Sequence, residues 1–271
     1  MSLKQISKQI LPRPLWKMGS AAYWGWRNRG RHLLAKSLSP RWQASQKEIR
    51  SYRDIHHGKR CFIIGNGPSL RKMDLSLLKN EYTFGLNRIY LMFDELGFTT
   101  TYLVVVNELV IEQCAADLRG WPLPKFITWR ARRWIADDPG AIFLDTDYTG
   151  IENFATDMTG RVFEGFTVTY VALQLAYYMG FTTAILIGVD HNYTTQGAPN
   201  TTVVSAGEDP NHFTPGYFGK GFRWQLPDLE GSERAYRMAG DAYQHAGRVI
   251  LDATVGGKLT VFPKISYPTL F

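Results

Sequence analysis

From residue 59 onward the apolar positions fall into short runs separated by longer mixed stretches. Cys61–Ile64, Thr83–Leu86 and Tyr102–Val106 are four- or five-residue runs of the kind that form strands buried on both faces. Phe126–Trp129, Ile142–Leu144, Ala184–Ile187 and Val249–Leu251 continue the series, and the tail Lys258–Phe262 predicts one more strand. Between them, Leu70–Leu78 and Ile89–Leu96 have helical character. Phe166–Met179 predicts a buried helix capped by Thr167 or Thr169 and ended by Gly180, and Glu233–Ala246 predicts a surface helix. Strands alternating with helices build parallel βαβ units. The predicted fold is therefore α/β: a single doubly wound, mostly parallel, Rossmann-like sheet.

With 271 residues, 45% of them apolar, the chain can bury a large core without disulfides. Cys61 and Cys114 are too few for a disulfide framework or a cysteine-based zinc site. No apolar run is long enough to span a bilayer, and the N-terminus lacks the order of a secretory signal. The expected location is cytoplasmic.

Charge divides the chain. Residues 1–60 hold fourteen of the 31 Lys and Arg but only Glu48 and Asp54 of the 24 acids, a net of +12 against −5 for the remainder. The expected organisation is a basic, Trp-rich, helical arm over 1–57 and a catalytic domain over 58–271. Within 1–50 the cations mix with Ile6, Ile10, Leu15, Trp16, Tyr23, Trp24, Trp26, Leu33, Leu34 and Trp42, while Pro12 and Pro14 break any single long helix. Indole rings among cations suit an anionic lipid surface. An arm packed on its own domain or on a partner chain is the open alternative. No recognition-helix, RNP or zinc-finger pattern supports nucleic acid.

Three asparagines carry the candidate chemistry. Asn66, Asn87 and Asn107 each follow a predicted strand, twenty-one and twenty residues apart. Ligands of open α/β sheets bind outside the carboxyl ends of the strands. An amide there offers a donor and an acceptor without the charge that would repel a phosphate. Asparagine is also a common turn residue, so the register of all three is what matters. The first turn is Gly65-Asn66-Gly67-Pro68-Ser69. Its glycines would let backbone approach a ligand, the following helix would offer N–H groups to a phosphate, and Arg71 and Lys72 would add either cationic contacts or a solvated helix face. It is neither a GxGxxG nor a Walker A loop.

In the second half, Gly188-Val189-Asp190-His191-Asn192-Tyr193 follows a strand and falls at the same edge. Asp190 reads as a site residue or as a turn former. Residues 194–232 are rich in Gly, Pro and aromatics and predict a lid. His212 is its sole histidine and reads as a general base or as a backbone-bonding side chain. Asp145-Thr146-Asp147 reads as a metal-holding Asp-x-Asp or a turn, and His56-His57 as structural.

Phe62-Ile-Ile-Gly-Asn-Gly-Pro-Ser-Leu70, Phe84-Gly-Leu-Asn-Arg88, Asn107-Glu-Leu-Val110 and Gly188-Val-Asp190 resemble the MptE-like (6-hydroxymethylpterin diphosphokinase-like) domain family. That family is similar in pattern to the bacterial family-42 sialyltransferases and to the motility accessory factors linked to flagellin glycosylation. The resemblance spans about residues 58–265. In the sialyltransferases the matching turn and two later asparagines help hold CMP-sialic acid. The resemblance therefore implies nucleotide contacts from Gly65, Asn66, Gly67, Ser69, Asn87 and Asn107, and from the Thr167–Thr169 region. Gly188 and Asp190 match that family's Gly-Ile-Asp, with Tyr193 as a phosphate ligand. The sialyltransferase loop carries two histidines four apart; here His212 matches the first and Gly216 stands where the second would be. Either His212 takes over the role of base or the reaction differs.

The expected function is a glycosyltransferase using a nucleotide-activated, CMP-linked sugar to build a surface polysaccharide or glycoconjugate, with His212 and Asp190 as catalytic candidates. No metal or cofactor is expected, since CMP leaves as a monophosphate. The expected partners are the donor, a glycan or lipid-linked acceptor, and an inner membrane surface met by residues 1–50. Two alternatives stand beside it. One is an Mg²⁺-dependent diphosphate transfer from ATP to a pterin alcohol, with Asp145, Asp147 and Asp190 holding the metal. The other is a non-catalytic nucleotide- or glycan-binding scaffold.

Overall fold

Strands this short and apolar are stable only when both faces are covered, and the chain achieves this with one parallel sheet. A computed structural model describes residues 36–150, 153–195 and 197–271. The arm's expected amphipathic pieces fall mainly on residues 1–35, outside that range. The chain divides into two compact units, 1–44 and 45–271. In the first, Lys36 Nζ stands 4.5 Å from the centre of the Trp42 ring. Helix α1 (Pro40–Ser51) runs across the division.

The second unit holds the sheet. Its strands are β1 (Arg60–Ile64), β2 (Thr83–Leu86), β3 (Tyr102–Val105), β4 (Lys125–Thr128), β5 (Ala141–Asp147), β6 (Arg161–Phe163), β7 (Thr183–Ile187) and β10 (Val249–Asp252). They lie in the order β10-β7-β1-β2-β3-β4-β5-β6, and every neighbouring pair is parallel. β8 (Thr202–Val204) and β9 (Arg223–Gln225) form a separate antiparallel hairpin inside the lid segment. The helices are α2 (Phe93–Leu96), α3 (Glu108–Arg119), α4 (Arg132–Ile135), α5 (Val168–Tyr178) and α6 (Leu229–His245).

The order reverses beside β1. From β1 the chain steps outward to β6, then α5 carries it back to β7 on β1's other side. The reversal opens a crevice between the loops leaving β1 and β7, the switch point where such sheets take ligands. α5 lies in the core: Tyr170, Val171, Ala172, Leu173, Leu175 and Ala176 are fully buried. Its buried Gln174 bonds in both directions. Oε1 accepts from Ala155 N (2.9 Å) and Phe163 N (3.3 Å), while Nε2 donates to Phe163 O (2.7 Å) and Tyr170 O (3.1 Å). One glutamine thus docks the three-residue β6, which is too short to show as an apolar run.

Several expectations are corrected. Leu70–Leu78 forms two short 3₁₀ turns, Pro68–Lys72 and Leu75–Leu78, rather than a helix. Ile89–Leu96 is a 3₁₀ turn, Ile89–Met92, running into one turn of α2. Lys258–Phe262 is not a strand; the tail pairs with the sheet through one isolated bridge, Asp252 to Lys264, and packs Tyr267 and Phe271 against Phe62 of β1. α6 buries one face through Ala235, Tyr236, Ala239 and Tyr243, so it is half core.

His56 is structural. It is buried in the turn after α1, stacked on Phe181 at 4.7 Å, with Nε2 2.7 Å from Tyr102 Oη. Burial pushes its imidazole below the ordinary value of 6.5. The unfolded chain therefore binds the proton more readily, and the stability this site supplies is in place above about pH 6.5 and lost as the pH falls. Unfolding midpoints measured between about pH 7 and about pH 5 should drop, and His56→Phe, which keeps the stack without the titration, should flatten that slope.

Candidate active site

The floor of the site begins where two glycine turns meet. Gly65 N donates to Ile187 O (2.8 Å) and Gly67 N to Gly188 O (2.9 Å), so the turns after β1 and β7 are joined through their backbones. A Cβ on Gly65 would strike Gly188 O, and one on Gly67 would fall on the Asp190 carboxylate. Gly188 itself sits at φ +65°, a conformation that favours glycine. Asp190 closes the clasp: Oδ1 accepts from Ser69 N (3.2 Å) and Oδ2 from Ser69 Oγ (2.6 Å).

This geometry changes the reading of the first turn. The glycines make room for a neighbouring turn. No helix N-terminus faces a ligand there: Pro68 has no N–H, Ser69 N–H goes to Asp190, and Leu70 N–H goes to Gly67 O. Ser69 is 2% exposed and does not line the cavity. Nor do Arg71 and Lys72; Arg71 bonds to Glu95 (2.6 Å) and to Phe213 O (2.9 Å).

Above this floor lies a cavity of about 840 Å³. Its walls come from the loops after β7, β1, β2, β3, β4, β5 and β6, neighbours in that order across the sheet. At about 4.8 Å per strand the row spans about 29 Å. Gly65, Asn66, Gly67, Asn87, Asn107, Thr167, Thr169, Gly188, Asp190, Tyr193 and His212 all contribute to one lining. Of the residues singled out from sequence, Ser69, Arg71, Lys72, Asp145 and Asp147 stand outside it.

The three asparagines are held differently. Asn66 Nδ2 donates to Leu86 O (3.0 Å), which leaves Oδ1 a buried acceptor without a partner. Asn87 sits at φ +48°, tolerated by asparagine, and its Oδ1 is likewise buried without a partner. Asn107 is satisfied: Oδ1 caps α3 through Leu109 N (2.9 Å), and Nδ2 donates to Gln225 Oε1 of the lid (3.3 Å). A buried acceptor without a donor costs about 1–3 kcal/mol. Two at one site mark where a ligand N–H or O–H would be most favourable.

At the β3–β6 end, Arg130 ties four loops together. Nε donates to Glu108 Oε1 (2.8 Å), Nη1 to Thr146 O and Oγ1 (each 2.8 Å), and Nη2 to Glu164 Oε1 (2.8 Å). Thr167 caps α5, accepting from Thr169 N (3.3 Å), and the first turn of that helix opens on the cavity.

The lid completes the wall. Phe213 N donates to Asn66 O (2.9 Å). Phe218 stacks on Phe222 (4.8 Å) and Trp224 (5.4 Å). His212 lies flat on Tyr217, 4.0 Å between ring centres and 3° between planes, with Nδ1 2.8 Å from Asp209 Oδ2. Both partners are about nine-tenths buried. An imidazole fixed at Nδ1 by a carboxylate keeps Nε2 for proton transfer. Burial pushes the Tyr193 phenol well up, so this residue stays a neutral donor.

Sequence reasoning missed Asp209, His191–Glu233 and the Arg130 cluster. Asp209 stands three residues before His212, a spacing that could have flagged it. Arg130 follows β4 at the same edge that drew attention to the asparagines. Two of the three carboxylates that a magnesium-dependent reaction would use are engaged within the protein. Asp147 accepts from Thr149 and Arg161, Asp190 from Ser69, and among the described residues no three His, Cys, Asp or Glu side chains gather at metal-binding distance.

A family described as 6-hydroxymethylpterin diphosphokinase MptE-like matches residues 41–196 of the chain. No curated protein matches it in sequence. Among solved structures, the MAf glycosyltransferase from Magnetospirillum magneticum AMB-1 aligns with a TM-score of 0.49 and 13% identity, over 84% of this chain and 38% of that one. The chain thus spans well under half of that protein's length.

The clasp yields a direct test. Gly67→Ala should lower the melting temperature by several degrees, because its methyl group displaces the Asp190 carboxylate. Gly216→Ala should leave it unchanged, since nothing lies within 4 Å of a Cβ there.

Proposed function

The chain belongs to the MptE-like family, and on that premise we propose that it is a glycosyltransferase using a nucleotide-activated, CMP-linked sugar to build a surface polysaccharide or glycoconjugate. One observation carries the reading. Amides from three successive strand ends line a single cavity at the switch point, and two of their oxygens are buried acceptors in want of donors. A nucleotide supplies such donors through its base amino group and ribose hydroxyls. The uncharged amides leave a phosphate unrepelled.

The reaction is a direct displacement. The acceptor hydroxyl oxygen bonds to the anomeric carbon as that carbon's bond to the phosphate oxygen breaks, and the electron pair leaves with CMP. His212 Nε2 takes the hydroxyl proton. Asp209 holds Nδ1–H and steadies the imidazolium as it forms. Tyr193 and the first turn of α5 line the cavity, which supports them as the groups that meet charge developing on the phosphate. Asp190, with both oxygens engaged by Ser69, is a positioning residue. Residues 1–50, basic and rich in tryptophan, suit a lipid-linked acceptor at an anionic membrane face.

Thermal-shift measurements with CMP, CDP, UDP, GDP and ATP, each with and without Mg²⁺, test the reading. CMP should stabilise the chain without metal, and Asn66→Ala should weaken that binding about tenfold. Stabilisation by ATP alone, and only with Mg²⁺, would overturn the proposal in favour of a diphosphokinase. With a CMP-sugar in hand, His212→Ala should lower turnover by about 10²–10⁴ while leaving CMP affinity within about threefold.

A further inference from the structure

A departing phosphate needs positive charge, and the lining supplies little. Arg130 is the one arginine or lysine among the described lining residues, and four of its five N–H donors go to Glu108, Glu164 and Thr146. Glu108, Glu164 and Asp190 add negative charge to the same wall. The remaining side chains able to become cationic are His212 and His191. As a general base, His212 has to meet the substrate neutral.

His191 has a different setting. It sits at φ +52° directly after Asp190, with its side chain 8% exposed. Its Nε2 lies 3.1 Å from Glu233 Oε1, and Glu233 Oε2 accepts from Arg237 Nη2 at 2.9 Å. Among the described residues, Nδ1 makes no hydrogen bond.

We propose that His191, as an imidazolium, is the cationic phosphate ligand of this cavity, with Nε2–H held by Glu233 and Nδ1–H donating to the nucleotide phosphate. A doubly protonated imidazole has two donors, so one can be anchored while the other serves the ligand. The charged and titratable neighbours are few. The carboxylate neighbours of His191 are Glu233 on α6 and Asp190, the preceding residue in the chain. The nearby cation is Arg237 on α6, exposed and paired with Glu233. Tyr236, its ring centre 6.4 Å away, and Tyr193, the third residue of the same turn, are neutral phenols. The inference rests on the nucleotide-transfer reading and adds to it the residue that carries the charge.

Calorimetric titration of the full chain with CMP in metal-free buffer, from about pH 6 to about pH 8.5, tests it with wild type and His191→Gln. The phosphate's own titration is common to both proteins, so the ratio of their Kd values is the quantity to read. That ratio should be about tenfold at the acid end and fall towards one at the alkaline end. His191→Lys, a permanent cation, should bind CMP at about pH 8.5 more tightly than His191→Gln. Glu233→Gln should weaken CMP at the acid end with little effect at the alkaline end. A ratio that stays constant across the range, whatever its size, would make His191 a packing residue and overturn the inference while leaving the transferase reading intact. Failure of wild type to bind CMP at any pH would instead remove that reading, and this inference with it.

Discussion

Contact between two backbone turns decides where everything else at the site can stand. Gly65 and Gly67 lie so close to Gly188 that no side chain fits between them, and the β1 and β7 loops are thereby locked at the point where strand order reverses. The crevice would otherwise be lined by two independent loops. Instead Ser69 and Asp190 saturate one another beneath it, which leaves Asn66 pointing its amide across to β2. The constraint is steric before it is chemical, and it accounts for the glycines without any ligand.

The architecture was legible in the sequence because the strands are buried on both faces. Runs such as Cys61–Ile64 and Ala184–Ile187 have few other fates in a chain this polar between them. The asparagines were legible for the same reason: a polar residue closing an apolar run can only stand at the edge of the sheet. What escaped was held by contacts distant in the chain. β6 exists because Gln174 bonds to it from a helix, and the β8–β9 hairpin rests on aromatic stacking within the lid. Neither leaves a periodic signature. The Pro68–Lys72 turn misled in the opposite sense, since strand, glycine turn and helical composition suggested a phosphate cradle whose N–H groups are in fact consumed locally.

The consequence for the site is electrostatic. With the first turn's amides engaged and Arg130 neutralised by two glutamates, no ready-made cluster of cations faces the cavity among the described residues. Recognition therefore falls to neutral amides, phenols, the first turn of α5 and groups that gain charge only by protonation. Of the lining carboxylates, Glu108 and Glu164 share Arg130, and Asp190 is held by Ser69.

Asn66 links the two halves of that lining. Its side-chain oxygen is one of the two buried acceptors, and its main-chain carbonyl receives the N–H of Phe213. Phe213 adjoins His212, whose ring is fixed in turn by Tyr217 and Asp209. A displacement of the first turn would thus carry both the Asn66 amide and Phe213, the residue beside His212. Since that turn is clamped to β7 through Gly67 and Gly188, main-chain geometry sets where the backbones that carry the Asn66 amide and the His212 imidazole stand. The steric clasp at the switch point therefore fixes, through Asn66, where the backbone of the His212 segment stands relative to the asparagine loops.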